Sequence, residues 1–271
     1  MKKRAHSGEK VAKAVIWLIA MLVIAVLLLI VIYILVKGLP MVNWSFLTEI
    51  PRNMGRDGGV ASTIVGTLMV TAVAIVIATP FGIGAAFYLA EYTRENLVTK
   101  IIRFSAESLA GIPSIIYGLF GFIFFVIALN MGWSVLSGGL TVAIMILPTI
   151  IRTSEEAIRT VPNIYREVSF SLGATKWQTI YKAVFPSAIR GIANGVILGV
   201  GRCVAETAAT ILTAGSALTK RTMAVHFYIL AREGISMDNA YGTAALLVIM
   251  ILVINVAANV LINRFTDKKR I

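Results

Sequence analysis

The chain has 271 residues, of which 58% are hydrophobic and only 14% are charged, whereas soluble domains average about 25% charged residues. This composition excludes a soluble globular protein and predicts an all-α polytopic membrane protein. The formal net charge is +12, but no soluble basic segment is present that could bind nucleic acid. We therefore expect no nucleic-acid partner and assign the excess of Lys and Arg to the ends of membrane spans.

Enzymatic and metal-binding chemistry find little support in the sequence. Cys203 is the only cysteine, and the two histidines, His6 and His226, lie far apart in the sequence. These counts exclude a disulfide framework and a cysteine-based metal site, so we expect no metal or cofactor. A phosphate-binding loop of the Gly-x-x-x-x-Gly-Lys-Ser/Thr type and a Ser-His-Asp triad are both missing. We therefore expect no catalytic residues and infer that a partner supplies any energy.

Apolar segments follow one another along the chain and predict six membrane-spanning helices joined by polar loops. The first is too long for a signal peptide and is expected to be retained. Residues 1–14 form a basic tail, and 15–271 form the transmembrane domain, with a core of about 61–262. The predicted spans are 15–36, 61–90, 104–129, 139–151, 189–214 and 240–262.

The distribution of Lys and Arg predicts the orientation of these spans. The segment 152–190 holds six such residues, and the turn at 130–138 holds none. By the positive-inside rule both termini and the segment 152–189 are expected in the cytoplasm. Three prolines are predicted hinges, because proline removes a backbone donor and clashes with the preceding turn. They are Pro80, Pro113 and Pro186.

The polar stretch 166–186 is predicted to form a cytoplasmic helix–glycine–helix unit. Ile164, Val168 and Leu172 recur every four residues, which places them on one helical face. Gly173 can adopt the left-handed conformation that ends a helix. A unit of this kind, placed between two membrane spans, presents a surface for another protein.

A second short helix is predicted to follow in the same stretch. Thr175 and Gln178 have the spacing of a capping box that starts a helix. Trp177 is the expected packing anchor of the unit, and Pro186 is expected to stop or kink the helix.

The fifth predicted span carries a charged motif that marks a candidate substrate path. Arg202 and Glu206 are four residues apart and would share one face of a continuous helix. Charged residues are costly at membrane depth and persist where they pair or line a polar path. Two explanations remain open for Arg202 and Glu206. They form an ion pair that fixes helix packing, or they contact the substrate along its path. Arg202 suits a phosphate-like oxyanion. The Thr207 hydroxyl could either extend the path or bond back to its own helix, and the second is the usual behaviour of such a hydroxyl.

The chain resembles the membrane-spanning permease subunits of binding-protein-dependent ABC importers. Their cytoplasmic EAA-type loop is matched by the spacing of Glu167, Gly173 and Pro186. Val168 and Ser169 depart from the usual alanines, and Ala183 replaces a larger aliphatic residue. The segments 111–121 and 201–207 are similar to motifs of the phosphate-specific members. The resemblance implies a type I ABC importer permease fold and docking of ATPase subunits on five residues: Glu167, Ser171, Leu172, Gly173 and Ala174.

The same resemblance implies partners and a mechanism. A homologous permease subunit would complete the pore, two ATPase subunits would supply energy, and an external phosphate-binding protein would deliver inorganic phosphate by alternating access. The location would be the cytoplasmic (inner) membrane of a bacterium or archaeon. Other oxyanions, namely molybdate, sulfate and phosphonate, remain alternatives within this class. A stand-alone channel or secondary transporter is the alternative from a different class, and a membrane enzyme is a third.

Overall fold

The computed structural model describes residues 2–218 and 220–267, and it is helical almost throughout. Across these residues the only β-bridge is an isolated pair between Arg52 and Asp57. The predicted basic tail at 268–271 lies outside the described residues. The α-helices are α1 Lys2–Gly38, α2 Trp44–Thr48, α3 Ala61–Phe87, α4 Leu97–Ala110, α5 Ser114–Gly121, α6 Val135–Arg159, α7 Ile164–Ser171, α8 Lys176–Thr179, α9 Phe185–Ala205, α10 Ala208–Thr213, α11 Met223–Arg232 and α12 Met237–Asp267.

Three π-helical turns join or extend these helices: Tyr88–Tyr92 after α3, Phe122–Ala128 after α5, and Ile180–Val184 between α8 and α9. Within the described part of the chain, five helices are long and apolar enough to cross a membrane. They are Ala12–Met41, Ala61–Tyr92, Val135–Arg159, Lys176–Ala205 and Met237–Val260.

The third predicted span is not a straight helix. The prediction of one helix over 104–129 is wrong, because α4 and α5 meet at a bend of 96°. Gly111 ends α4 and Pro113 precedes α5 in an extended conformation, with φ −58° and ψ 138°. Proline cannot donate the backbone hydrogen bond that would continue α4. The segment is therefore a broken span or a re-entrant loop, and it begins at Leu97 rather than at residue 104.

Two other predicted spans have wrong boundaries. The helix predicted at 139–151 starts at Val135, where the Ser134 hydroxyl accepts the Ser137 amide at 3.1 Å, and it continues to Arg159. The helix predicted at 189–214 starts at Lys176 and ends at Ala205. The cytoplasmic loop predicted at 152–189 is therefore shorter, because helix ends occupy much of it.

The predicted hinge prolines occupy different local structures. Pro80 lies inside α3, which runs through it without interruption. Pro113 lies at the 96° bend. Pro186 lies in the first turn of α9 and does not stop a helix, so that part of the prediction is wrong. The helical backbone continues from the π-helical turn at Ile180–Val184 through Pro186, which lacks one backbone donor there. Hinge motion at the three residues stays a prediction.

The core lies between α3, α6 and α9. Val70, Val142 and Ile146 are fully buried there, next to Cys203 of α9. Glycine allows close approach between these helices, since a Cβ on Gly82 of α3 would lie 2.7 Å from the Ile150 side chain of α6. Small residues of this kind are typical of helix contacts inside membranes.

The first helix packs differently from the core. Its apolar membrane window is wholly exposed, and α1 contacts α12 near its own C-terminal end. There Gly38 lies against Tyr241, and the Tyr33 and Tyr241 rings meet edge to face at 5.9 Å. The rest of the helix presents apolar side chains, as expected of a surface covered by lipid or another membrane protein.

A buried polar cluster fastens the loop between α2 and α3. Asn53, Met54 and Gly55 have consecutive positive φ values of 48°, 63° and 101°. Arg221, only 1% exposed, donates through Nη2 to the Met54 carbonyl at 3.1 Å. Burial lowers the pKa of Arg221 to about 10. Burial, reinforced by the charge of Arg221, lowers the pKa of the adjacent His226 to about 3.

This cluster predicts a pH dependence of stability. His226 stays neutral in the fold, whereas an unfolded histidine takes up a proton near pH 6.5. Stability should therefore fall as the pH drops from about 6.5 toward 3, because protons favour the unfolded chain. His226→Gln should flatten this dependence, whereas His6→Gln should leave it unchanged. Apparent melting temperatures of the detergent-solubilised protein at several pH values test this; equal slopes for wild type and His226→Gln would contradict it.

A second prediction concerns the contact between α5 and α6. A Cβ on Gly121 would lie 2.1 Å from Thr141 Oγ1, and that hydroxyl is held by the Ser137 carbonyl at 2.8 Å. Gly121→Ala should lower the free energy of unfolding by about 1–3 kcal/mol through overpacking. Gly84→Ala is the matched control, since no atom lies within 4 Å of its Cβ position. Thermal unfolding should separate the two variants, and equal melting temperatures would refute the contact.

Candidate coupling surface and substrate path

Helix α7 stands between the fourth and fifth predicted spans, outside the segments that can cross the membrane. Gly173 follows it with a φ of +78°, which confirms the predicted left-handed helix end. The Gly173 amide donates to the Phe170 carbonyl at 2.9 Å, and the Ala174 amide donates to the Ser169 carbonyl at 3.1 Å. These bonds satisfy carbonyls at the end of α7 and turn the chain sharply.

The capping box is also confirmed. The Gln178 amide donates to Thr175 Oγ1 at 3.3 Å, and the Thr175 amide donates to Gln178 Oε1 at 2.9 Å. The helix that starts there continues through the π-helical turn into α9, so it is the first part of the fifth span rather than a separate element. Trp177 is 66% exposed, so its predicted role as packing anchor is wrong. Ile180 and Val184, at 5% and 0% exposure, anchor this segment instead.

Of the five predicted coupling residues, Glu167 lies in the first turn of α7, and the other four lie at its C-terminal end and in the turn that follows. We call them the α7 surface: Glu167, Ser171, Leu172, Gly173 and Ala174. All are exposed except Ala174, which is partly buried. Leu172 is 82% exposed, with Val168 beside it at 52%. An exposed apolar patch with a neighbouring carboxylate is suited to contact with another protein.

Sequence reasoning missed how α7 is attached to the membrane helices. Arg166 Nη2 lies 2.6 Å from Glu91 Oε1, and both side chains are largely buried. Glu91 belongs to the π-helical turn that extends α3. The two residues are 75 positions apart, and no motif links them, so periodicity could not have paired them.

The charged motif of the fifth span has a geometry that differs from the prediction. Helix α9 ends at Ala205, and Glu206 has φ −72° and ψ 126°, outside the helical region. Arg202 and Glu206 therefore do not form the expected intrahelical ion pair. The buried Glu206 carboxylate instead accepts the Ala209 amide at 3.0 Å and caps the start of α10. Thr207, partly buried, occupies the break between the two helices.

Arg202 is consequently left without a carboxylate partner. It is partly buried, and among the described residues it makes no hydrogen bond or ion pair. Its guanidinium lies close enough to the Tyr117 hydroxyl to interact electrostatically. Tyr117 donates to the Leu109 carbonyl at 2.8 Å, across the break between α4 and α5. Arg202 therefore lies near the point where the third predicted span is interrupted.

The two interrupted spans pack against each other. A Cβ on Gly118 of α5 would lie 2.8 Å from the Ala209 Cα of α10. The breaks at Gly111–Pro113 and at Glu206 thus belong to one region of the protein. Broken helices at membrane depth are tolerated where they are buried in protein or line a polar cavity. This region is the candidate substrate path.

A cavity with charged residues in its lining lies between α4 and α6, with a volume of about 460 Å³. Its charged lining consists of three arginines and three glutamates: Arg103, Arg152, Arg159, Glu107, Glu155 and Glu156. Arg103 Nε lies 2.7 Å from Glu155 Oε1, and Arg152 Nη1 lies 2.6 Å from Glu107 Oε1. Because its charges balance, the cavity offers no surplus positive charge for an anion. Over the described residues no cluster of His, Cys, Asp or Glu could hold a metal ion.

Comparison with known proteins places the chain in a family. Residues 78–271 match the family described as "binding-protein-dependent transport system inner membrane component". A probable ABC transporter permease protein of Bacillus subtilis, YqgI, is 31% identical over 92% of this chain and 93% of its own length.

Relatives named for phosphate transport are similar over shorter stretches. The phosphate transport system permease protein PstA of Xylella fastidiosa (strain Temecula1) is 36% identical over 66% of this chain and 62% of its own length. PstA 1 of Mycobacterium tuberculosis (strain H37Rv) is 32% identical over 79% of this chain and 72% of its own length.

Solved structures of ABC importers have the same fold. A chain of a bacterial alginate transporter, solved in complex with an alginate-bound periplasmic protein, matches with a TM-score of 0.70 at 17% identity. That match covers 92% of this chain and 94% of the other. A chain of the inward-facing MetNI methionine transporter matches with a TM-score of 0.61 at 19% identity, and the match covers 76% of this chain and 94% of the other. The chain belongs to the binding-protein-dependent transport system inner membrane components, the membrane-spanning permease subunits of ABC importers, and has PstA phosphate permeases among its relatives.

Proposed function

We propose that the chain is the permease subunit of an ATP-driven importer that moves inorganic phosphate from an external binding protein into the cytoplasm. The observation that carries the proposal is the unpaired Arg202 beside the break in the fifth span. The names of the PstA relatives support phosphate as the substrate.

The chemistry of Arg202 favours an oxyanion. Its guanidinium is permanently charged and planar, and it offers several donors to phosphate oxygens. Glu206, four residues further along the chain, accepts the Ala209 amide and makes no ion pair with Arg202. A single accessible arginine attracts an anion without the cage of donors that would retain it. Thr207, beside Arg202 at the same break, adds a hydroxyl to the path.

Transport of this kind requires partners that bind different faces of the chain. A homologous permease subunit completes the pore. Two ATPase subunits supply the energy, and one of them docks on the α7 surface of this chain. An external binding protein delivers phosphate to the opposite side. Both termini and α7 lie in the cytoplasm, and nucleotide binding and hydrolysis open the spans alternately to the two sides. The chain is a transport subunit, and the ATPase subunits carry out the hydrolysis.

Another oxyanion is the second candidate substrate, because the guanidinium also suits molybdate, sulfate and phosphonate. The Bacillus subtilis relative is similar over nearly its whole length and carries no substrate in its name. Competition among these anions for uptake by the reconstituted importer separates the candidates. Stronger inhibition of labelled phosphate uptake by sulfate or molybdate than by an equal concentration of unlabelled phosphate would contradict the phosphate assignment.

The path residue gives the first functional prediction. Arg202→Ala should reduce ATP-dependent phosphate uptake into proteoliposomes by about 10- to 100-fold, because a hydrogen bond to a charged group contributes about 1.5–3 kcal/mol. Arg202→Lys keeps the charge but loses the planar fork, so its uptake should be intermediate. Arg264→Gln, at an exposed residue of α12, is the control and should transport normally. Unchanged uptake by Arg202→Ala would remove Arg202 from the path.

The α7 surface gives the second functional prediction. Glu167→Lys reverses the charge of an exposed residue on this surface and should leave insertion and folding intact. ATP-driven uptake should fall by at least about tenfold, because a like-charge contact across an interface costs several kcal/mol. Co-purification with the ATPase subunit should weaken in parallel.

The control for this variant is Glu156→Lys, which makes the same change at an exposed glutamate near the end of α6. It should retain both uptake and co-purification. Equal losses in the two variants would show that added positive charge, rather than the α7 surface, causes the defect.

A further inference from the structure

Helix α7 is held to the rest of the protein by few contacts. None of its residues is fully buried, and its large apolar side chains are exposed. In the described part of the chain, two α7 residues make side-chain hydrogen bonds to other elements. The hydroxyls of Ser169 and Thr179 lie 2.8 Å apart and share one hydrogen bond. Arg166 makes all the others.

Arg166 uses every nitrogen of its guanidinium. Nε and Nη2 donate to Glu91 Oε1 at 3.0 and 2.6 Å. Nη2 also donates to the Ile158 carbonyl at 3.1 Å, and Nη1 donates to the Val161 carbonyl at 2.8 Å. A weaker contact joins Nη1 to Asn163 Oδ1 at 3.4 Å. One side chain therefore connects α7 to the end of α3 and to the end of α6.

The surroundings of this ion pair make it stronger than a surface pair. The Arg166 and Glu91 side chains are 16% and 8% exposed. By comparison, the Arg152–Glu107 pair between α6 and α4 has 61% and 51% exposure. Reduced solvent contact strengthens the attraction and limits screening by salt. The Ile158 carbonyl also accepts the Val161 amide at 3.3 Å. Val161 lies beyond the end of α6, where carbonyls lack helical partners, so Arg166 supplies a donor to its carbonyl.

The two helices to which Arg166 connects α7, namely α3 and α6, are packed tightly against each other. Helix α3 packs along α6 through fully buried residues such as Val70, Val142 and Ile146. The Ser169–Thr179 bond, by contrast, leads to α8, which follows α7 directly in the chain. Arg166 therefore provides the non-local route from α7 into the end of α3, through Glu91, and also bonds to the end of α6, which precedes α7 in the chain.

We propose that Arg166, paired with Glu91, is a positioning residue that transmits displacement of α7 to α3 and α6. The proposal rests on the proposed function, because it assumes that an ATPase subunit displaces α7. Arg166 itself does not face that subunit. Its role is to make α7 and the two membrane helices move as one body, so that work done at the α7 surface reaches the transport path.

The test measures coupling instead of activity alone. In the reconstituted complex with its ATPase subunits and binding protein, Arg166→Gln should still bind the ATPase and hydrolyse ATP. The amount of phosphate moved per ATP hydrolysed should fall by about tenfold. Arg166→Lys keeps one charged contact with Glu91 but cannot make the remaining bonds. Its ratio of phosphate moved to ATP hydrolysed should therefore lie between those of the wild type and Arg166→Gln. Glu91→Gln removes the charge from the other partner and should also lower the ratio.

The matched control is Arg152→Gln, which breaks the exposed Arg152–Glu107 pair and should leave the ratio unchanged. Melting temperatures of all variants report any general loss of stability. An unchanged ratio in Arg166→Gln, or an equal loss in Arg152→Gln, would overturn the proposal.

A second measurement needs no substrate and separates this proposal from the proposed function. A spin label at Val65, an exposed residue of α3, should change its environment when ATP binds to the complex. Arg166→Gln should abolish that change while nucleotide binding persists. If wild-type complex moves no phosphate but shows the change, the phosphate assignment fails and the role of Arg166 stands. If the change persists in Arg166→Gln, the role of Arg166 fails.

Discussion

The rule that backbone polar groups inside a bilayer must be satisfied within the protein governs this structure. The chain breaks two of its apolar segments, at Gly111–Pro113 and at Glu206, and each break leaves backbone groups without helical partners. At the second break the Glu206 carboxylate accepts the Ala209 amide. The two breaks are packed together through Gly118 and Ala209. With Glu206 committed to the backbone, Arg202 is left as the charged group available to a passing anion.

The coupling surface and the path are separated in space, and packing connects them. Helix α7 buries almost nothing of its own, so its position depends on polar contacts. The Arg166–Glu91 pair ties it to α3 and α6, and these helices enclose Cys203, the neighbour of Arg202, in one apolar core. In the proposed mechanism, a displacement of α7 reaches the region of Arg202 through these packed helices. Glycine at helix contacts keeps these helices close enough to move together.

Local features could be predicted from the sequence, and long-range ones could not. The left-handed Gly173, the Thr175–Gln178 capping box and most of the apolar spans follow from nearest neighbours and periodicity. The fifth span shows the limit of that reasoning. Four-residue spacing implies an Arg202–Glu206 pair only if the helix is continuous, and the helix ends at Ala205 because a tertiary arrangement overrides its local preference.

Other features depend on residues that are distant in the sequence. Pro113 indicated a weak point in the third span, but the 96° bend depends on how α5 packs against α6 and α10. The Arg166–Glu91 pair joins residues 75 positions apart, and a single sequence contains no signal for it. The predicted anchor, Trp177, is exposed because Ile180 and Val184 occupy the buried side of the same helix.

Accessibility at residue 202 tests the central claim, that Arg202 lies on a path opened alternately to the two sides of the membrane. Arg202→Cys in a Cys203→Ala background provides a single reactive thiol, because Cys203 is the only native cysteine. A membrane-impermeant thiol reagent should label it from the cytoplasmic side without nucleotide and from the external side when ATP is trapped. Labelling that is missing from both sides, or that does not depend on nucleotide, would contradict the account.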